Sequence, residues 1–460
     1  MNCRTLLLLL LFSVFSLFSN AQEGQEFLVC NHSDTTDSHV NTNLIESYKI
    51  TVDMKADQRE IPSKIYLYAY KMGELALVDS AKVKGKKAIF RKKQDFSWPN
   101  TELLQSGFYK ISLAGADYPF ILNSVSEIEI VCVSGRYKIN KPVVNKVLWT
   151  LYEPSDTPPY FGNLDYLNDL EGSFLQRYFY FYNLLASFNY NEADVSDYEK
   201  VLHYYDFSDA RFCNSSEFHD FSFTDFLRKY LSYDFFTTPQ LKSVISFIVD
   251  CAYRGGDIQA NNYISLLFNI FLTSGDPFYE PLMLDIYDNY DKSWIPEEKE
   301  RSYKRIVEKA RRLSVGSVIP ELTAYDIDGN QHSTKDITAK YTVLWFWDPD
   351  CDHCQEQTPI LHQYYNELSD SLDFEVFAVE VNDDYDRWKA FSEKHELNDW
   401  INLSTSMGEP NVDFIDYFDI VTTPVVLLID NSDGYAIKAR QISLEEIIDL
   451  MKNNTDDNEK

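Results

Sequence analysis

The chain has 460 residues, too many for one ordinary core and enough for about three domains of about 150 residues each. Hydrophobic residues make up 45%, which excludes wholesale disorder. Lys and Arg number 42 against 72 Asp and Glu, and the net charge of −30 excludes a nucleic-acid backbone or an anionic lipid surface as partner. A solvated acidic surface that favours solubility is the plain reading of that charge.

The first residues have the pattern of a secretory signal. Arg4 supplies a positive start, Leu6 to Phe18 an apolar core, and Ser19-Asn20-Ala21 small residues for cleavage. The core is shorter than the about 20 residues of a membrane span. Cys3 lies before it and Cys30 well after it, so neither fits a lipid-anchored cysteine. A soluble exported protein beginning near Gln22 is expected, with no membrane span after cleavage. Export permits disulfides, yet Cys30, Cys132, Cys213 and Cys251 are widely scattered. Buried free thiols are expected for Cys132 and Cys251, which lie in apolar runs. A Cys213–Cys251 bridge is the alternative.

From Glu46 to Cys132 the pattern has period two. Tyr48, Ile50, Val52 and Met54 share a face, as do Ile65, Leu67 and Ala69, then Phe108, Ile111 and Leu113, then Ile128 and Ile130. Lys84-Gly85-Lys86 and Ala114-Gly115-Ala116-Asp117 mark turns. Short strands at this spacing predict a small antiparallel β-sandwich of structural or docking use. From Lys141 to Leu313 the period becomes helical, beginning at Val147, Leu148 and Leu151. Leu241, Val244, Ile245 and Ile248 follow the i, i+3, i+4, i+7 rule, and so do Ile264, Leu267, Phe268 and Phe271. The aromatic run Tyr178-Phe179-Tyr180-Phe181-Tyr182 reads as core; a peptide-binding groove is the sharper alternative. Glu297 to Arg312 is a charged amphipathic helix.

From Val315 strands and helices alternate. Asp326 to Asn330 is a hairpin turn. The apolar run Val343 to Trp347 leads into Asp348-Pro349-Asp350-Cys351-Asp352-His353-Cys354, and a helical pattern through Leu361, Tyr364, Tyr365 and Leu368 follows. Phe374 to Val379 is a strand, Trp388 and Phe391 lie on a helix, Val425 to Ile429 is a strand, and Ala436 and Ile437 lie on the next. Ser443-Leu444-Glu445-Glu446 is a capping box that opens the last helix. A strand that delivers a C-x-x-C to a helix N-terminus places the first sulfur over unpaired N–H groups and the positive end of the helix dipole. That setting favours thiolate, the form that attacks disulfides. Two intervening residues bring both sulfurs to one helix end. His353 as a cation would favour thiolate; Asp348, Asp350 and Asp352 would oppose it. A solvent-facing loop residue is the plain reading of His353.

These residues resemble the thioredoxin superfamily, and its exported TlpA/ResA-like branch in particular. The resemblance is carried by Phe346-Trp347 ahead of the C-x-x-C, by Pro359 five residues after Cys354, by Thr422-Thr423-Pro424-Val425, and by Ile319-Pro320-Glu321-Leu322 with Asp328-Gly329. It spans about 140 residues. It implies Cys351 as nucleophile and Cys354 as resolving thiol. It also implies a cis Pro424 that sets the Thr423 backbone beside Cys351 for an extended substrate, with Trp347 and Pro359 shaping the site. Two positions depart from the branch. Gln357 stands where a proton-transferring Glu is common, and Trp345 stands where thioredoxins hold a buried acid. The upstream regions look like the β-sandwich and helical domain of unknown function that precede such domains in cell-envelope proteins.

The expected organisation is a signal peptide at 1–21, a linker at 22–45, a β-sandwich at 46–136, an α-helical domain at 137–313, a thioredoxin-like α/β domain at 314–455 and a disordered tail at 456–460. The expected activity is reduction of disulfides in periplasmic or other cell-envelope proteins, with electrons from an upstream donor. The Cys351/Cys354 pair would act without a dissociable cofactor or metal. Alternatives are an envelope binding protein with an accessory redox domain, and a peroxiredoxin-like peroxidase. The peroxidase pattern P-x-x-x-T-x-x-C is broken by Asp348 in the Thr position. A zinc site lacks a second ligand pair, and a haem site lacks His after Cys354, where Gln355 stands.

Overall fold

The computed structural model describes residues 44–71, 74–91, 104–113, 116–133, 136–141, 174–215 and 222–456. The signal peptide, nearly all of the linker, the Val147–Leu151 helix and all but the first residue of the tail lie outside the described residues. The chain divides into two compact units, 1–270 and 271–460.

Among the described residues the first unit has eight strands, of which the first, fourth, seventh and eighth alternate buried and more exposed residues. They are β1 (Ser47–Asp53), β2 (Lys64–Lys71), β3 (Glu74–Lys82), β4 (Lys87–Arg91), β5 (Gly107–Leu113), β6 (Ala116–Leu122), β7 (Val125–Val133) and β8 (Arg136–Lys141). They form two four-stranded sheets, ordered β4-β1-β7-β8 and β3-β2-β5-β6. Ile50, Val52, Ile65, Leu67, Ile111, Ile128 and Ile130 from both sheets join one hydrophobic cluster. Pairing is not antiparallel throughout, because β1 runs parallel to β7. The intervening chain spends β2, β3, β5 and β6 on the other sheet, so β7 returns beside β1 by a long crossover rather than a hairpin. Phe108 leaves the expected inward set and packs on Phe174 and Tyr178, at centroid distances of 6.4 and 4.9 Å.

The helices of this unit are α1 (Phe174–Ala186), α2 (Val195–Leu202), α3 (Ala210–Cys213), α4 (Ser222–Tyr230), α5 (Thr238–Arg254) and α6 (Asp257–Leu272). Tyr178, Phe179 and Phe181 are buried in core, as the aromatic run suggested. Gly107 sits where α3 meets β5: a Cβ there would come within 2.6 Å of Asn214 Cβ. Cys132 and Cys213 are free, but Cys251 is disulfide-bonded. That corrects the expectation of a free Cys251 and removes Cys213 as its partner. An apolar helical run hides a thiol equally well whether it is paired or free, so the local pattern does not separate the two states.

Asp57 is buried in the sheet region. Its carboxylate accepts from Arg59 Nε at 2.9 Å and from the Tyr137 hydroxyl at 2.7 Å. Hydrogen bonds from the Arg59 side chain and backbone and from Tyr137 hold it well below the usual carboxylate range, against burial. A depressed folded-state pKa stabilises above the unfolded pKa and is lost as pH falls through the folded one. Asp57→Asn is therefore expected to cost about 2 kcal/mol at pH 7. The gap from wild type should narrow as the pH is lowered below about 4. Denaturant unfolding of the full chain at both pH values checks this.

The second unit opens with α7 (Glu280–Asn289) and α8 (Glu300–Leu313), then alternates: β9 (Thr323–Tyr325), β10 (Gln331–Ser333), β11 (Tyr341–Trp347), α9 (Asp352–Leu372), β12 (Phe374–Glu380), α10 (Tyr385–His395), β13 (Ile401–Ser404), α11 (Phe414–Phe418), β14 (Val425–Asp430), β15 (Ala436–Arg440) and α12 (Leu444–Asp456). The division falls at Ile270/Phe271, earlier than the change of periodicity at 313/314. Glu280 on α7 pairs with Arg440 on β15, and Lys309 on α8 with Asp419. The Arg312 guanidinium lies 4.4 Å from the Tyr417 ring centroid. These contacts tie both helices to the α/β domain.

One seven-stranded sheet runs β10-β9-β13-β12-β11-β14-β15. β11 is central, parallel to β12 and antiparallel to β14. All seven β11 residues are buried, which explains the continuous apolar run. Trp345 and Trp347 face a cluster with Cys354, Leu361, Trp388, Ile447 and Met451. Leu344 and Phe346 face the opposite cluster, with Leu313, Phe414 and Phe418. The segment 316–319 lies along β15, through Gly316 N to Ile437 O at 2.8 Å and Ile319 N to Tyr435 O at 3.1 Å.

Candidate active site

The site stands where β11 ends. Asp348 Oδ1 accepts from Asp350 N at 2.8 Å, and Cys351 N donates to Asp348 O at 3.1 Å, so the chain turns tightly into α9. Cys351 is the N-cap of that helix. Its sulfur accepts from Cys354 N at 3.4 Å, taking up one of the orphan donors of the first turn. The Thr423–Pro424 bond is cis, and Cys351 Sγ lies 3.1 Å from Thr423 O. The structure thus brings Cys351, Cys354, Thr423 and the cis peptide together.

The two thiols differ. Cys351 is partly exposed, and Cys354 is fully buried. Burial alone would raise the Cys351 pKa. Hydrogen bonds from the Thr423 side chain, the Cys354 thiol and the backbone N–H groups of Cys354 and His353 outweigh it, and the net shift is downward. Burial pushes the Cys354 thiol up to about 12. The surroundings thus favour ionisation of Cys351 and oppose that of Cys354.

The other expected site residues fall as follows. His353 is exposed on the first turn of α9, and what it offers Cys351 is its backbone N–H. Gln357 is half-buried one turn on. Pro359 lies inside α9, where its missing N–H opens the ladder. Trp347 is fully buried and stacks obliquely on Phe391 at 5.2 Å. Trp345 donates Nε1–H to Thr358 Oγ1 at 3.1 Å, both buried, so an indole–hydroxyl pair occupies the place beneath the site.

Sequence reading missed Asn382, Arg387 and Glu380. Arg387 on α10 pairs with Asp350 and lies 3.5 Å from Asp384, offsetting acids that the sequence left unopposed. Glu380 ends β12 opposite Trp347. It is fully buried and accepts from Asn382 N at 2.5 Å and Ser404 Oγ at 2.6 Å. The one available signal was a lone Glu closing an otherwise apolar-leaning strand.

A central parallel strand feeding a dithiol to a helix N-terminus, opposite a cis-proline loop, defines a thioredoxin-like domain. Residues 339–436 match the family model described as Thioredoxin-like. The chain is 25% identical over 95 residues to the thiol-disulfide oxidoreductase ResA of Geobacillus thermodenitrificans, covering 21% of this chain and 54% of that protein. It is 24% identical over 136 residues to ResA of Bacillus subtilis, covering 30% of this chain and 72% of that one. The chain therefore spans about half the length of the first of these relatives. It is also similar to the solved thioredoxin domain of a thiol-disulfide oxidoreductase from Bacteroides vulgatus, at 26% identity and a TM-score of 0.27, covering 31% of this chain and 97% of that one. Residues 339–436 are thioredoxin-like, and this part of the chain is similar to the ResA oxidoreductases.

Proposed function

We propose that the protein is an exported thiol-disulfide oxidoreductase that reduces disulfides of cell-envelope proteins by exchange through Cys351 and Cys354. The observation that carries this is the asymmetry of the pair: a half-exposed sulfur with a lowered pKa beside a sealed one raised to about 12. Cys351 thiolate attacks a partner disulfide and forms a mixed disulfide. Cys354 then attacks Cys351 and releases the reduced partner. The Thr423 backbone beside the sulfur pairs with an extended substrate segment. The dithiol is the only redox group the reaction needs, and an upstream thiol donor restores it.

Export is supported by the signal-like residues 1–21 and by a disulfide at Cys251, which suits an oxidising compartment. Among the described residues no helix is long and apolar enough to cross a membrane. The two sheets of the first unit are inferred to pack as a sandwich that serves docking or structure.

The test is trapping with full-length Cys354→Ser. Captured mixed disulfides through Cys351, absent from the Cys351→Ser, Cys354→Ser double variant, are expected. Capture that is equal with both variants would reject the exchange reading.

A further inference from the structure

Resolution of the mixed disulfide poses a chemical difficulty. Cys354 must lose its proton before it attacks, yet it is fully buried and its thiol is pushed up to about 12. Beneath it stands the Trp345–Thr358 pair, which does not titrate in this range. One turn along the helix stands Gln357, which cannot accept a proton as a base.

The polar groups that act most strongly on the Cys354 thiol are Cys351, Thr423 and the backbone N–H of Asp348. Asp348 alone of these adds a carboxylate. That carboxylate is half-buried, hydrogen-bonded by Asp350 N and by the Asn382 side chain, and in no ion pair among the described residues. The charged groups around it are Asp350 from its own turn, Asp384 and Arg387 from α10, and Glu380 from the end of β12. Arg387 is engaged by Asp350 and Asp384. Burial, with Asp384 adding to it, raises the Asp348 pKa against Asn382 and Arg387, which makes it a better base than a solvated carboxylate. Glu380 is buried too, but its oxygens are taken by Ser404 Oγ and Asn382 N. Both of its oxygens are engaged in this way, and it fixes the turn that presents Asn382.

We propose that Asp348 accepts the Cys354 proton during resolution and that Asn382 is the positioning residue that holds its carboxylate. This rests on the exchange reading above. The Cys354 thiol gives its proton to Asp348. The resulting thiolate attacks Cys351 Sγ, the Cys351–Cys354 bond forms, and the bond from Cys351 to the partner sulfur breaks. The partner sulfur leaves as a thiolate and takes the proton from the Asp348 carboxylic acid. The dithiol is oxidised by two electrons and the partner disulfide is reduced by the same two.

Ellman's reagent separates the steps on the full-length reduced chain. The first coloured thiolate is released when Cys351 attacks, the second when Cys354 resolves. In Asp348→Asn the second phase should slow by about 10²-fold while the first keeps its rate, and its pH profile should lose the inflection of a carboxylate and follow hydroxide. Asp348→Glu should recover part of the loss, and the exposed Glu356→Gln should change neither phase. Asn382→Ala, which keeps the carboxylate, should slow the second phase several-fold and shift its inflection. A second phase within twofold of wild type in Asp348→Asn, or Asn382→Ala with an unmoved profile, overturns the proposal and leaves the exchange reading intact. A missing first phase in the wild type overturns both.

Discussion

At about pH 7.5 an alkylating reagent is expected to modify Cys351 at least about 10²-fold faster than Cys354 in the folded, reduced protein. An ordinary exposed thiol with a pKa of about 8.5 is about one-tenth ionised there. A thiol at about 12 is ionised to about 3 × 10⁻⁵. The more basic thiolate is intrinsically more nucleophilic, which returns a factor of about 40. The remaining ratio is about 10², before the lowered pKa of Cys351 and the complete burial of Cys354 widen it further. The pH dependence has a definite sign. Cys351 labelling reaches its plateau below the pH of a free thiol, whereas Cys354 labelling is still rising at high pH. The fold favours protonated Cys354, so this group stabilises below its unfolded pKa, and that contribution is lost as pH rises toward about 12. Site-resolved mass spectrometry over a pH series checks both thiols. Equal labelling, or a Cys351 midpoint above that of a free cysteine, would remove the basis for the nucleophile assignment.

Trp345→Ala should be the most damaging single change in the second unit, at about 3–5 kcal/mol. The residue lies fully buried in the central strand, between β12 and β14, and opposes Ala378 and Val426. Truncation removes the whole indole from the cluster around Cys354 and leaves Thr358 Oγ1 without its donor. Against a typical stability of about 5–15 kcal/mol, such a loss populates the open domain. Cys354 is a built-in reporter, since its burial makes labelling under native conditions depend on opening. Labelling of Cys354 should accelerate by two orders of magnitude or more in the variant, given that about 1.4 kcal/mol is tenfold. Thr358→Val keeps the packing and orphans only the indole N–H, so its effect should be smaller, about 1–3 kcal/mol. An unchanged labelling rate in Trp345→Ala would mean that the cluster does not hold the strand.

The sequence made legible what local pattern encodes. The run Tyr341–Trp347 announces a strand buried on both faces. The C-x-x-C announces a helix start, and Ser443 and Glu446 do form the reciprocal cap, with Ser443 N donating to Glu446 Oε2 at 2.8 Å. What stayed hidden depends on register between distant segments. Nothing in the spacing of Asp348 and Asn382 says that parallel pairing of β11 with β12 sets them side by side. Glu280 and Arg440 are 160 positions apart, so the attachment of α7 to the α/β domain left no periodic trace. The parallel β1–β7 pair was missed for the same reason: alternation reports which face is buried and says nothing of strand direction.

The short stretch 316–319 beside β15 has a practical meaning for anyone who would isolate the redox domain. An outermost strand offers a row of unused donors and acceptors, which invites stacking of one copy on another. Gly316, Ser317 and Ile319 fill part of that row, and Arg440 on the same strand is claimed by Glu280. A version trimmed to the family match at 339 would lose both guards, so the stretch ahead of the match belongs to the domain's insulation against self-association.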